Sequence, residues 1–240
     1  MYKFNSRIRY SEIDRNGVLS LQSLLDYFQD CSTFHSEDVG MGTQFLTERN
    51  LAWVLNSWQI VVDRFPGLCE NVSIGSFAYD FKKFMGFRNF FLEDEQGIKI
   101  AWANTVWSLL DTTTMHPARR TPDVMSIYGI EPPLEMDYAP RKIAVPGEGT
   151  GQEPIQVKAH HLDTNLHVNN GQYIRIAMDY LKEGFRVWQM RAEYRKSAVL
   201  GDIMVPVVVQ TNESSIIILE DTAGDPFCIT EFKEKEEKHA

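Results

Sequence analysis

The chain has 240 residues, 43% apolar and 24% charged, with 15 Gly, 10 Pro and a formal charge of −9. That length buries about 70–75% of the unfolded surface without disulfide or metal staples, and the composition is that of a soluble globular protein rather than a disordered or fibrous one. The acidic balance disfavours nonspecific nucleic-acid binding, which draws on Lys and Arg. Cys31, Cys69 and Cys228 form no CxxC pair, which argues against a disulfide framework or a thiolate zinc site. Apolar runs such as Ile216–Leu219 are far shorter than the ~18 residues of a membrane span. Met1-Tyr2-Lys3-Phe4 has neither an apolar h-region nor transit-peptide character, so a cytoplasmic location is expected.

Tyr2 to Ile13 reads as extended, and Asp14-Arg15-Asn16-Gly17 as a turn. Leu21, Leu24, Leu25, Phe28 and Cys31 then follow the spacing of an amphipathic helix, placed at about 20–37 and ended near Gly40. A mixed stretch without periodicity runs to Asn50. Strands follow at Leu51–Phe65, Val72–Phe84, Arg88–Asp94 and Lys99–Leu110, the last two around the Asp94-Glu95-Gln96-Gly97 hairpin turn. Residues 112–153 hold six of the ten prolines and read as a linker, with one short helix near 121–128.

The remainder repeats the first part. Ile155 to His161 is extended, Asp163-Thr164-Asn165-Leu166 is a turn, and Tyr173, Ile176, Ala177, Tyr180 and Leu181 form one helical stripe. Four strands follow, at Val187–Lys196, Ile203–Gln210, Ser215–Asp221 and Phe227–Phe232. An offset of 149 lays Asp14 on Asp163, Asn16 on Asn165 and Leu24 on Tyr173, and after the helix an offset of 131 lays Arg64 on Arg195. A period this long marks a duplicated domain. The expected architecture is α+β: two tandem units at 1–111 and 154–240, each a helix covered by a curled antiparallel sheet.

The richest chemistry lies in His160 to Tyr173. Asp163, Asn165 and His167 alternate, and Asn169 or Asn170 can cap the second helix, with Gly171 giving close backbone access. Backbone N–H groups of Asn170 and Gly171 at that helix start could receive developing negative charge. Asp-x-Asn is also plain turn chemistry, and it recurs at Asp14 and Asn16. His167 has Val18 as its counterpart, so the imidazole belongs to the second half alone. His160, His161, His167 and Asp163 could in principle ligate zinc, but adjacent histidines in a strand face opposite ways, and no metal or cofactor is expected. Cys31 and Cys228 read as core residues, and His35 as a packed helix residue.

These stretches resemble the acyl-acyl-carrier-protein thioesterases of plants and bacteria. The resemblance rests on Asp163-x-Asn165-x-His167-Val168-Asn169-Asn170 with Tyr173, on Glu193-Tyr194-Arg195-Lys196, and on Trp53-Val54, Val61–Pro66 and Thr105-Val106-Trp107. It implies two hotdog domains and hydrolysis of fatty acyl-carrier-protein thioesters, which ends fatty acid elongation. It also implies Asp163, Asn165 and His167 as catalytic residues and a first domain that shapes the acyl pocket. Plant members typically carry a glutamate and a cysteine where this chain has Ser197 and Ala198, so a cysteine nucleophile is not available there. Ser197 could hold a water, and Glu193, four residues upstream, is a further supporting candidate.

The implied partner, acyl carrier protein, is acidic like this chain and calls for a local basic patch. Arg191, Arg195 and Lys196, with Arg141 and Lys142 of the linker, are the candidates. The alternatives are an acyl-CoA thioesterase or another hotdog enzyme, and a non-catalytic fatty-acyl-binding module. Two fused units make a monomer feasible beside a homodimer.

Overall fold

The computed structural model describes residues 1–118 and 126–235. The chain forms two units. The first comprises Met1–Asn56 and the described part of Ile60–Tyr138; the second comprises Ser57–Gln59 and the described residues from Ala139 onward.

In the first unit, strand β1 (Tyr2–Arg7) leads to a 3-10 turn at Tyr10–Glu12. The extended run expected to Ile13 therefore stops at Arg7, because the Glu12 carboxylate accepts the Arg9 N–H at 2.8 Å and folds the chain back. Helix α1 (Leu21–Asp38) starts at Ser20, whose hydroxyl accepts the Ser23 N–H. It ends at Gly40, where φ is +74°. Its buried face carries Leu24, Leu25 and Phe28, all fully buried; each such side chain contributes roughly 1.5–3 kcal/mol by leaving water. The stretch before Asn50 holds a short helix, α2 (Thr43–Glu48), that buries no residue and so carries no periodic signal.

Strands β2 (Leu51–Val62), β3 (Asn71–Lys82), β4 (Met85–Glu93) and β5 (Lys99–Asp111) follow, in the sheet order β1-β3-β4-β5-β2. Helix α1 packs on β3, and the Phe28 and Phe90 rings lie 5.4 Å apart. A two-residue strand β6 (His116–Pro117) pairs with β5. Of the short helix expected near 121–128, residues 121–125 lie outside the described residues, while 126–128 are helical.

The second unit repeats this plan. Two-residue strands β7 (Thr150–Gly151) and β8 (Ile155–Gln156) both pair with β10 (Ile203–Gln210). The extended run expected from Ile155 to His161 is cut short by a 3-10 turn at Ala159–His161. Helix α3 (Asn170–Met178) leaves Tyr180 and Leu181 in a tighter turn, with N–H bonds to Ala177 and Met178. Strands β9 (Val187–Tyr194), β10, β11 (Ser215–Glu220) and β12 (Pro226–Glu234) lie in the order β9-β12-β11-β10-β7. Helix α3 packs on β11 and β12, with Ile174, Ala177, Met190 and Phe232 in the core. Each unit is thus a helix against an antiparallel sheet, the expected α+β hotdog plan. No helix among the described residues is long and apolar enough to cross a membrane.

Residues 134–143 of the proline-rich segment are tied to strands of the two units. In the first unit the buried Asn89 carbonyl on β4 accepts the Leu134 N–H at 3.0 Å and the Tyr138 hydroxyl at 2.9 Å. In the second, Arg191 Nη2 on β9 donates to the carbonyls of Pro140 and Lys142, and Glu193 Oε2 accepts the Ile143 N–H at 2.9 Å.

Candidate active site

The Asp163 turn is built by its own backbone. Asp163 Oδ1 accepts the N–H of Asn165 at 2.8 Å and of His167 at 3.3 Å. The Asp163 N–H donates to the His167 carbonyl at 2.8 Å. Leu166 takes a left-handed φ of +61° to close the loop, at a cost of roughly 1–2 kcal/mol for a side chain with a Cβ. The turn is entered through a 3-10 segment in which His161 Nδ1 accepts the Lys158 N–H at 3.1 Å. His161 therefore carries its proton on Nε2. Burial lowers its pKa, helped by His160, Lys158 and Arg175.

Every feature has a counterpart 149 residues earlier. Asp14 Oδ1 accepts the N–H of Asn16 and Val18, Gly17 takes the left-handed conformation at +77°, and Glu12 accepts the Arg9 N–H. The functional groups differ. In the first unit Asn16 Nδ2 donates to Asp14 Oδ2 at 3.0 Å. In the second, Asp163 Oδ2, the Asn165 amide and the His167 imidazole have no hydrogen-bond partner among the described residues. Asn165 and His167 are exposed, and Asp163 is half-buried.

The segment after β9 lies beside this turn. The Val168 N–H donates to the Ala198 carbonyl at 2.9 Å, and His167 bridges Val199. Tyr173 on α3 accepts the Ala198 N–H at 2.8 Å, and Tyr194 on β9 donates its hydroxyl to the Asn170 carbonyl at 3.0 Å. Burial raises the pKa of both phenols, so they stay neutral hydrogen-bonding posts. Ser197 is exposed and Ala198 fully buried. The scaffolding roles of Tyr173 and Tyr194 had no local signal, since each partner lies 24 or 25 residues away.

Three of the expected assignments change. The Gly171 N–H is taken by the Asn169 side chain at 2.8 Å, which caps α3. It is not free to polarise a carbonyl; the Asn170 N–H, for which no acceptor is found among the described residues, is. Glu193 points away from the site, because alternate residues of a strand face opposite sides and Tyr194 is the one that reaches α3. Glu193 is fully buried, bonds the Ile143 N–H, and lies 3.1 Å from Arg195 Nε. Arg191 is taken up by Glu231 at 2.8 Å and by two linker carbonyls, so it offers no free charge for docking.

Arg195 and Lys196 remain half-exposed, but Lys196 pairs with Asp221, whose carboxyl it helps hold at about 2. Arg141 stands 3.9 Å from Glu193. His160 and His161 sit in the 3-10 turn with ring centroids 4.2 Å apart. No group of three His, Cys, Asp or Glu among the described residues is placed to hold a metal ion.

Residues 1–128 match the sequence model of the acyl-ACP thioesterase N-terminal domain, and residues 147–224 that of the acyl-ACP thioesterase C-terminal domain. A chloroplastic palmitoyl-acyl carrier protein thioesterase of Arabidopsis thaliana is 23% identical over 95% of this chain and 59% of its own length. A chloroplastic acyl-carrier-protein hydrolase of Cuphea viscosissima is 25% identical over 70% of this chain and 43% of its own. The chain thus spans about half the length of the curated relatives it matches. An acyl-ACP thioesterase from Bacteroides thetaiotaomicron superposes with a TM-score of 0.88 at 22% identity, covering 97% of both chains. A 12:0-ACP thioesterase from Umbellularia californica gives 0.83 at 18% identity, covering 98% of this chain and 96% of that one. With a family match over more than half its length, and the fold shared with solved members, this chain belongs to the acyl-ACP thioesterase family.

Proposed function

We propose that the protein hydrolyses fatty acyl-acyl carrier protein thioesters to free fatty acid and carrier thiol, at the Asp163–His167 turn of the second unit. The observation that supports this reading most is the contrast between the turns. The same backbone ties up its polar groups in the first unit and leaves a carboxylate oxygen, an amide and an imidazole unspent in the second.

Asp163 Oδ1 is fixed by two N–H groups, so Oδ2 is the oxygen that takes a proton from the attacking water. Asn165 orients that water or the acyl group, and the exposed Ser197 hydroxyl offers a second contact for it. As water adds to the carbonyl carbon, the negative oxygen is received by the Asn170 N–H at the positive end of α3. The C–S bond then breaks, His167 passes a proton to the departing thiolate, and the proton that Asp163 took from water returns to His167, so both groups are restored. General acid–base steps of this kind contribute about 10²–10⁴-fold each.

Carrier docking falls to Arg195 and Lys196, which exchange their intramolecular carboxylates for those of the acidic carrier. The first unit shapes the acyl pocket. A panel of acyl-carrier-protein and acyl-CoA thioesters of varied chain length tests the reading. Faster turnover of the carrier-protein series is expected. Turnover of acyl-CoA alone points to a CoA thioesterase, and tight acyl binding without turnover to a binding module; either contradicts the proposal.

A further inference from the structure

The first unit buries a positive charge that no residue balances. Arg88 on β4 is 8% exposed, and no carboxylate among the described residues pairs with it. Its Nη1 donates to Ser76 Oγ at 2.9 Å and meets His35 Nδ1 at 3.0 Å. The Tyr128 ring centre lies 5.2 Å from the guanidinium carbon. A guanidinium donates only, so His35 Nδ1 is the acceptor and the ring proton sits on Nε2. Burial and the neighbouring Arg88 charge hold His35 at about 4, so it is neutral at pH 7. The Cys31 thiol close by is pushed up to about 12 by burial and supplies no anion.

What remains unfilled is one-sided. Arg88 Nε and Nη2 and His35 Nε2 have no hydrogen-bond partner among the described residues. With Nη1 spent, Nε and Nη2 form the edge of the guanidinium that matches both oxygens of a carboxylate. The surroundings are otherwise largely apolar, apart from Thr105 across from Arg88 on β5, whose hydroxyl is spent on the Arg88 carbonyl, and the Tyr128 hydroxyl, which donates to Ser36. Phe28 and Cys31 precede His35 on the buried face of α1, Phe90 follows Arg88 on the same side of β4, and Tyr2 stacks on the His35 ring at 5.8 Å. A protein keeps an uncompensated buried charge at a cost to its stability, and that cost is typical of a binding site.

We propose that the Arg88–His35–Ser76 cluster of the first unit is a binding site for a carboxylate carried on an aliphatic chain. The site goes beyond the hydrolysis proposed above, which asks the first unit only to shape an acyl pocket and gives no role there to a carboxylate-binding group.

Calorimetric titration of the full chain at pH 7.5 with decanoate, decanol and acetate tests it. Decanoate is expected to bind saturably, with decanol and acetate each at least tenfold weaker, so that both the carboxylate and the chain are needed. Arg88→Met, close in volume, should weaken decanoate at least tenfold, leave decanol unchanged, and melt no lower than the wild type. Equal binding of decanoate and decanol, acetate binding as tightly as decanoate, decanoate binding untouched by Arg88→Met, or no saturable binding overturns the site. So does an Arg88→Met chain that fails to fold, since Arg88 would then be a structural post. These readouts involve no thioester, so they stand or fall apart from the hydrolase reading.

Discussion

In the first unit Asn16 turns its amide onto Asp14 Oδ2, Gly17 supplies the left-handed residue without strain, and Val18 occupies the fifth position. In the second unit the same loop leaves Asp163 Oδ2 unpaired, forces Leu166 into the left-handed region at 71% exposure, and presents His167. One turn is closed and relaxed; the other holds its polar groups open on a strained backbone. Strain and unpaired polar groups persist where something besides stability is selected, and their retention in one copy of a duplicated fold supports the proposal that this copy carries the chemistry.

The comparison can be broken in four ways, from the largest effect to the smallest. His167→Ala should lower acyl-carrier-protein hydrolysis by about 10²–10⁴-fold, measured as kcat/KM, while Val18→Ala leaves it within a few-fold. Glu193→Ala should destabilise the fold by about 3–5 kcal/mol in urea denaturation, by stripping a buried acceptor from Ile143 and a partner from Arg195. Its kcat per folded molecule should hold, because Glu193 faces away from the turn; a loss in kcat with unchanged stability would return it to the catalytic set.

His35 gives the third. Its folded pKa of about 4 lies below the unfolded value, so between pH 6.5 and 4 the unfolded chain binds more protons and stability falls as the pH drops. The loss should be on the order of 2 kcal/mol, and His35→Gln should flatten that part of the denaturation-versus-pH curve. Last, Leu166→Gly should raise stability by up to about 1 kcal/mol, as relief of the left-handed strain outweighs the added chain entropy. Gly17→Leu should lower it by about 1 kcal/mol, both read from thermal melts.

The turn pair was legible in the sequence because it is local: every hydrogen bond of the Asp-x-Asn loop spans four residues or fewer, so an offset of 149 exposes it. Helix α1 was legible for the same reason, its apolar stripe recurring within each turn. Helix α2 buries nothing and so leaves no stripe. The roles of Glu193 and Gly171 were not readable. The first depends on which face of β9 meets α3, the second on whether Asn169 or a ligand claims one N–H. The linker, aperiodic in sequence, is tied down by Asn89, Arg191 and Glu193 across 45 to 51 residues, a span over which no pattern is visible.

The most direct test pairs Asp163→Asn with Asp14→Asn, measuring hydrolysis of a fatty acyl-carrier-protein thioester beside the melting temperature. Asparagine keeps Oδ1, and with it both turns. Asp163→Asn should melt like the wild type and lose at least 100-fold in rate, while Asp14→Asn keeps its rate. Equal losses in the two variants, or none in either, would contradict the assignment of the working site to the second turn.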